Sequence, residues 1–283
     1  MSGQKMNRKK GTIGKLAISH IFLILVSITM LIPFLWMLFT AFKSNTEATS
    51  MNPFYILPRE WRPDAFITVL GNYNFGRLYL NTILLIIFRV LCAVLTATMA
   101  AYALGRLNFF GKNLAFGLVL LQMMVPSQIF VIPQYVMVSK MGMTNTLFGL
   151  VFPGLVTAFG TFLLRQAYMS LPRDLEEAAK LDGCNIGQTF FYIMAPLTKS
   201  SMVALGIFTA LFAYKDLMWP MIVAPAKEWS TLAPALAKMQ GQFTTKYPEL
   251  MAASLLACVP MIVIYLIFQK QFIQGIATTG GKL

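Results

Sequence analysis

From Ile18 to Phe42 the sequence runs without a single Asp, Glu, Lys or Arg. A helix needs about 20 mainly apolar residues to cross a hydrocarbon core of about 30 Å, so this stretch is long enough to pass through a bilayer. Five more stretches of similar character follow. Together they place spans at about 18–42, 81–104, 114–133, 147–169, 202–219 and 250–272. Composition agrees, because 57% of the 283 residues are hydrophobic and 12% are charged, about half the charged fraction of soluble domains. The expected fold is all-α and integral to a membrane: a basic segment 1–15, then a single transmembrane domain over 16–283 with six transmembrane helices.

Charge sets the orientation. Residues 1–15 carry Lys5, Arg8, Lys9, Lys10 and Lys15 and no acid. The apolar run after them is too long for a signal-peptide core and lacks a small-residue cleavage site, so it reads as an uncleaved first span. With both termini inside, thirteen basic residues fall on the cytoplasmic side and eight outside, the bias expected of inner loops. Pro33 is expected to kink the first span. The net charge of +13 does not point to nucleic acid, because the basic residues are spread over span flanks and form no aromatic-interleaved patch. Arg89 lies within the second span, where an unpaired cation costs several kcal/mol on most scales. It is expected to face protein or water.

The residues also exclude several chemistries. Gly105 and Gly111-Lys112 do not have the spacing of a phosphate-binding loop, so the chain is read as having no nucleotide site. Cys92, Cys184 and Cys258 are far apart without metal-ligand spacing, and His20 is the lone histidine. That leaves no metal site and no nucleophile with a base, and hence no intramembrane enzyme.

The most polar segment is 173–197. Four of the ten acidic residues (Asp174, Glu176, Glu177 and Asp182) fall within nine positions there. Leu175, Ala178 and Ala179 stand at i, i+3 and i+4, which makes one apolar face on a short helix. Asp182-Gly183 signals a turn. A second helical piece carries Phe190, Phe191 and Met194 on its apolar side until Pro196. Between the fourth and fifth spans, such a segment reads as a cytoplasmic docking surface.

Glu177-Ala178-Ala179, Gly183 after three intervening residues, then Ile193 and Pro196 resemble the EAA loop in the membrane subunits of bacterial ABC importers. Ala195 and Ser200 stand where that family usually has Leu and often Pro. Further fragments match in order: Ala100-Ala101-Tyr102-Ala103 with Arg106, Met124-Val125-Pro126 with Ile132-Pro133, Phe162–Gln166, Asp216–Pro220, Leu250–Ser254 and Phe268-Gln269. The chain is thereby similar to the carbohydrate-uptake permeases, specifically the second permease of maltose-type importers. Tyr214-Lys215 replaces the family's Trp-Asn before Asp216.

The resemblance implies a permease subunit in the cytoplasmic (inner) membrane of a bacterium, not itself an enzyme. It would work with a homologous permease, two ATPase subunits that bind ATP and Mg, and an extracytoplasmic solute-binding protein. The substrate is expected to be a di- or oligosaccharide, with glycerol phosphate or acidic sugars as the alternative. Glu176, Glu177, Ala178, Ala179, Asp182 and Gly183 would couple to the ATPase, with Gly183 setting the angle between the two helical pieces. Gln122, Met123, Met124, Tyr214, Lys215 and Asp216 are the candidates for the substrate pathway, although ordinary helix packing explains Gln122, Met123 and Met124 equally well. By position, Gln240, Gly241 and Gln242 would meet the binding protein and Thr279–Leu283 the ATPases. An ion-coupled secondary transporter is the rival from another class. It would need an acid well inside a span, and Asp216 lies near the end of the fifth.

Overall fold

The computed structural model describes the backbone of residues 3–51, 53–241 and 245–280, with side chains from residue 19 to 270 within those ranges. Among the described residues all regular structure is helical. In chain order the elements begin with α1 (Gly3–Ala41), α2 (Asn45–Thr49), α3 (Asp64–Asn72), α4 (Phe75–Arg106) and α5 (Lys112–Met124). A 3-10 turn, Ser127–Phe130, leads into α6 (Val131–Lys140), and α7 (Leu147–Val151) continues as the 3-10 turn Phe152–Gly154. Next come α8 (Ala158–Met169), α9 (Asp174–Leu181), α10 (Ile186–Gln188), a π-helical turn at Thr189–Met194 and α11 (Ala195–Leu197). The chain closes with α12 (Lys199–Tyr214), α13 (Met218–Val223), α14 (Leu232–Met239) and α15 (Tyr247–Gly280).

Three stretches are single helices long and apolar enough to cross a membrane: Ser19–Ala41, Phe75–Arg106 and Tyr247–Lys270. Three more pass that test only as bent pairs. These are Lys112–Met124 with Ser127–Lys140 at 101°, Leu147–Gly154 with Ala158–Met169 at 48°, and Ile186–Leu197 with Lys199–Tyr214 at 73°. The expected third span, 114–133, is thus not straight. Pro126 has no N–H to donate and its ring pushes the preceding residue out of the helical region. Val125 accordingly sits at φ −88°, ψ 127°. The helix resumes through residues 131–140, running past the expected end of the span at 133 into what was expected to be a loop. The expected fifth span, 202–219, ends as a helix at Tyr214 and restarts as α13.

The chain divides into two compact units, residues 1–73 with 239–258 and residues 74–238 with 259–283. In the first, the aromatic residues at the end of α1 gather the following loop. Phe42 lies 5.3 Å from Trp61 and 5.2 Å from Phe66, and Trp36 stacks on Phe54 at 5.5 Å. Lys43 donates to the Tyr55 carbonyl at 2.6 Å with its ammonium 4.8 Å from the Trp36 ring. Burial pushes the Lys43 pKa down, partly offset by Glu47.

In the second unit α4 packs along α8 and α12. Its buried stripe includes Leu85, Arg89, Ala93, Ala97 and Ala101, four residues apart, so these positions repeat along one helix face. The three alanines let neighbouring backbones approach closely, the usual device where lipid removes a hydrophobic drive between helices. The opposite stripe of Ile87, Leu91, Leu95 and Met99 is exposed, as a lipid-facing surface requires. One core cluster joins Leu85, Leu150, Val151, Trp219 and Val223. A second joins Ala97, Tyr102, Leu164, Tyr168, Phe190 and Met194. Asn81 bridges to the irregular segment before α14, donating to the Glu228 and Ser230 carbonyls at 2.8 and 2.9 Å.

Candidate functional site

The polar segment forms a helix for reasons written into its ends. Asp174, Glu176 and Glu177 occupy the first turn of α9 and Lys180 the last, each complementing the partial charge of the helix end. The helix closes by a Schellman arrangement: Gly183 N–H donates to Lys180 O at 3.0 Å and Cys184 N–H to Ala179 O at 2.9 Å. That closure puts Gly183 at φ +80°, a left-handed conformation costing about 1–2 kcal/mol for a residue with a Cβ. Asn185 and Gln188 then cap α10 reciprocally, each side chain accepting from the other's backbone N–H at 2.9 Å. Beyond the π turn, Pro196 lies inside α11. It does not end the helical path, which instead bends by 73° into α12.

The two faces of α9 are unlike. Ala179 is 2% exposed, buried against the chain's own helices. Glu176 also turns inward, accepting from Arg106 Nε at 3.0 Å, with the two side chains 17% and 5% exposed respectively. Arg106, the last residue of α4, further donates to the Leu171 and Pro172 carbonyls, both at 3.0 Å. Arg165 reinforces the corner, donating to Leu104 O at 3.1 Å while its guanidinium lies 3.8 Å from the Phe116 ring. The other face presents Asp174, Glu177, Ala178 and Leu181, spaced i, i+3, i+4 and i+7 and all exposed. Leu181 is 90% exposed. Asp182, Gly183 and Ile186 are exposed beside them.

The apolar face expected from Leu175, Ala178 and Ala179 is therefore divided: Ala178 points out and Ala179 in. Leu181 and Ile186 escaped the sequence reading, although an exposed leucine at a helix end followed by an isoleucine three residues past the turn glycine is a visible signal. The role of Arg106 had no local signal, since its partner lies 70 positions away.

A second polar centre lies within the helices. Arg89 is 7% exposed. It donates to Asp216 Oδ2 at 2.7 Å and to the Leu150 carbonyl at 2.8 Å. Asp216 also accepts from the Trp219 backbone N–H at 3.4 Å, and the Trp219 indole donates to Gly149 O at 2.9 Å. Gln122 lines a cavity beside Arg89, whereas Met123 and Met124 are exposed. Lys215 is exposed with its ammonium 4.8 Å from the Phe212 ring. Gln240 and Gly241 are exposed just after α14, and Gln242 lies outside the described residues.

Residues 93–278 match the family described as the binding-protein-dependent transport system inner membrane component. The chain belongs to this family. Among relatives of this inner membrane component, the arabinooligosaccharides transport system permease protein AraQ of Bacillus subtilis is 30% identical over 93% of this chain and 94% of its own length. The diacetylchitobiose uptake system permease protein NgcG of Streptomyces coelicolor is 30% identical over 93% and 88%. The sn-glycerol-3-phosphate transport system permease protein UgpE of Escherichia coli O157:H7 is 28% identical over 91% and 94%. A solved bacterial ABC transporter involved in the import of the acidic polysaccharide alginate shares the fold, with a TM-score of 0.78, 22% identity and coverage of 94% of this chain and 98% of that one. Family and helices together make this a multi-pass membrane protein of ABC transport systems.

Proposed function

We propose that this chain is one permease subunit of an ATP-driven importer for a di- or oligosaccharide and forms half of the translocation pathway. Each bent pair counts as one span, giving six spans with both termini cytoplasmic in a bacterial inner membrane. The segment around α9 is the coupling element between the fourth and fifth spans. The observation that carries this reading is the division of α9: one face fastened through Glu176 to Arg106 at the end of a long span, the other offering Glu177, Ala178, Leu181 and Asp182 outward. A helix fixed on one side and free on the other passes a rigid-body displacement of its partner to the span that holds it.

The partners are a homologous permease, two ATPase subunits that carry ATP and Mg, and a solute-binding protein meeting the outer loops around Gln240 and Gly241. This chain binds no cofactor of its own. The names of AraQ and NgcG support a neutral oligosaccharide, while that of UgpE supports the runner-up, a glycerol phosphate or other acidic solute. A secondary transporter loses ground because Asp216 is engaged by Arg89 and the family is binding-protein-dependent.

The decisive experiment is ATP hydrolysis by the complex purified in nanodiscs, with its binding protein and a panel of sugars. Stimulation by one loaded binding protein, abolished by Glu177 and Gly183 substitutions, is the expected result. Purification without any ATPase, and uptake that follows a proton or sodium gradient, would refute the reading.

A further inference from the structure

The corner where α4 turns into α5 gathers positive charge from four parts of the chain. Arg106 ends α4 and Lys112 opens α5. Arg165 comes from α8, and Arg173 immediately precedes α9. Their contacts converge on one short piece of backbone. Arg165 donates to Leu104 O at 3.1 Å, and Lys112 Nζ donates to Leu107 O at 2.7 Å and to Gly105 O at 3.4 Å, with Arg106 between them. Arg173 follows directly on Leu171-Pro172, whose carbonyls Arg106 holds. The Lys112 ammonium therefore has Arg165, Arg173 and Arg106 as like-charge neighbours.

The chain's own acids do not balance this group. Among the described residues Glu176 is the one acid ion-paired with it, and it serves Arg106. Asp174 adjoins Arg173 in sequence, yet among the described residues the two form no ion pair. Lys112, Arg165 and Arg173 are thus left without a carboxylate. Cations gathered in this way repel one another until an anion joins them.

An apolar surface adjoins the charges. The connecting turn carries Phe109 and Phe110, the latter fully exposed. Leu114, Leu118 and Leu121 are exposed on α5 at i, i+4 and i+7, so they share one helix face. Among the described residues none of α5 is buried. The depth is also right. The 32 residues of α4 reach about 48 Å at about 1.5 Å each, against about 40–45 Å for a bilayer with its headgroups. The end of α4 at Arg106 therefore lies at headgroup level.

We infer that this corner binds the headgroup of an anionic phospholipid in the cytoplasmic leaflet. Lys112 and Arg173 donate to its phosphate oxygens, and an acyl chain lies along Leu114, Leu118 and Leu121. The site depends on the six-span topology proposed above and not on which solute is carried. Charge selects an anionic lipid, because a zwitterionic headgroup would bring its own ammonium among uncompensated cations. The apolar surface selects a lipid over free phosphate, which would leave Phe110 and the leucine stripe uncovered. Basic residues at a span's cytoplasmic end each attract anionic lipid by about fivefold in affinity. The outer face of α9, which offers Glu177 and Asp182, has the opposite charge and suits a different partner.

The test is native mass spectrometry of the full complex, purified in detergent and titrated with dioleoyl phosphatidylglycerol or dioleoyl phosphatidylcholine. Phosphatidylglycerol should bind the more tightly. Lys112→Gln combined with Arg173→Gln should weaken it about 25-fold, two cations at about fivefold each, and leave phosphatidylcholine unchanged. Lys112→Arg, which keeps the charge, should bind as the unmodified chain does. Should the double variant fail to assemble, Arg173→Gln alone, at an exposed position, should still weaken binding about fivefold. Inorganic phosphate should not displace the lipid. Equal affinity for the two lipids, or unchanged phosphatidylglycerol affinity in the charge-removing variants, would overturn the site. Displacement by phosphate would overturn it in favour of a soluble anion. Loss of ATPase co-purification in the double variant with lipid affinity unchanged would overturn it in favour of the ATPase.

Discussion

Replacing Arg106 by Ala removes the fastening of α9 without touching its outer face. Four donor contacts vanish at once: to Glu176 Oε2, Leu171 O and Pro172 O, each at 3.0 Å, and a longer one to Tyr168 O at 3.4 Å. Hydrogen bonds from a charged donor contribute about 1.5–3 kcal/mol each when their partners are left unsatisfied. Pro172 is exposed and Glu176 lies within reach of water, so solvent recovers part of this. Taking the lower end and that recovery together gives about 3 kcal/mol. At about 1.4 kcal/mol per decade, local opening should become about 150-fold more frequent. The assay is amide hydrogen exchange over Asp174–Leu181 in the complex in nanodiscs, where the variant should exchange faster by that factor while Leu85–Ala101 stays protected. ATP hydrolysis should continue as uptake falls, because docking survives and transmission does not. Glu176→Gln, which keeps an acceptor, should cost only about 1 kcal/mol. Exchange within about threefold of the unmodified chain would refute the claim that Arg106 holds the helix.

Gly183→Ala and Gly183→Leu should act alike, because nothing lies within 4 Å of a Cβ there and the cost, about 1–2 kcal/mol, is in the backbone. Both should reduce ATPase co-purification or uptake, and normal assembly and uptake with Leu at 183 would sink the coupling reading. Leu181→Asp should lower ATPase co-purification from membranes while leaving the chain's thermal unfolding unmoved, since that side chain is exposed. Gly149→Ala should be poorly folded, as its Cβ would clash with the Met143 carbonyl oxygen. Overpacking costs about 1–3 kcal/mol or more, to be read as a lowered melting temperature in detergent. In the loop between α2 and α3, the Arg62 hydrogen bond at 2.9 Å holds the Glu60 carboxyl below the usual glutamate range. The contact is therefore present at neutral pH and is lost as pH falls through that lowered pKa. Arg62→Ala should bring the titration, followed by NMR, back up.

Much of this was legible because the driving features are local. Uninterrupted apolar length announced the helices, and Asp182-Gly183 announced a turn whose left-handed glycine is there to be seen. Pro126 carried the signal for the break in the third span, but a sequence window scores its neighbours as apolar and runs through it. The faces of α9 could not be told apart in advance. An alanine at 178 and another at 179 serve equally well inside or outside, and the choice was made by a guanidinium 70 positions upstream. Arg89 was expected to face protein or water, and it is buried. Its partner was not foreseen, because helix periodicity says which face a residue occupies and nothing about which distant helix will meet it.

The Arg89–Asp216 pair also bears on how the chain is made. The two residues are separated by 127 positions. At about 5–20 residues per second of synthesis, Arg89 emerges roughly 6–25 s before the carboxylate that neutralises it. Throughout that interval the second span carries an uncompensated cation that lipid rejects. The nascent chain must therefore keep this helix beside water or the insertion machinery until α12 and the residues that follow it arrive. A ribosome stalled before Asp216 would leave a fragment that cannot settle in the bilayer and is exposed to the cell's membrane proteases.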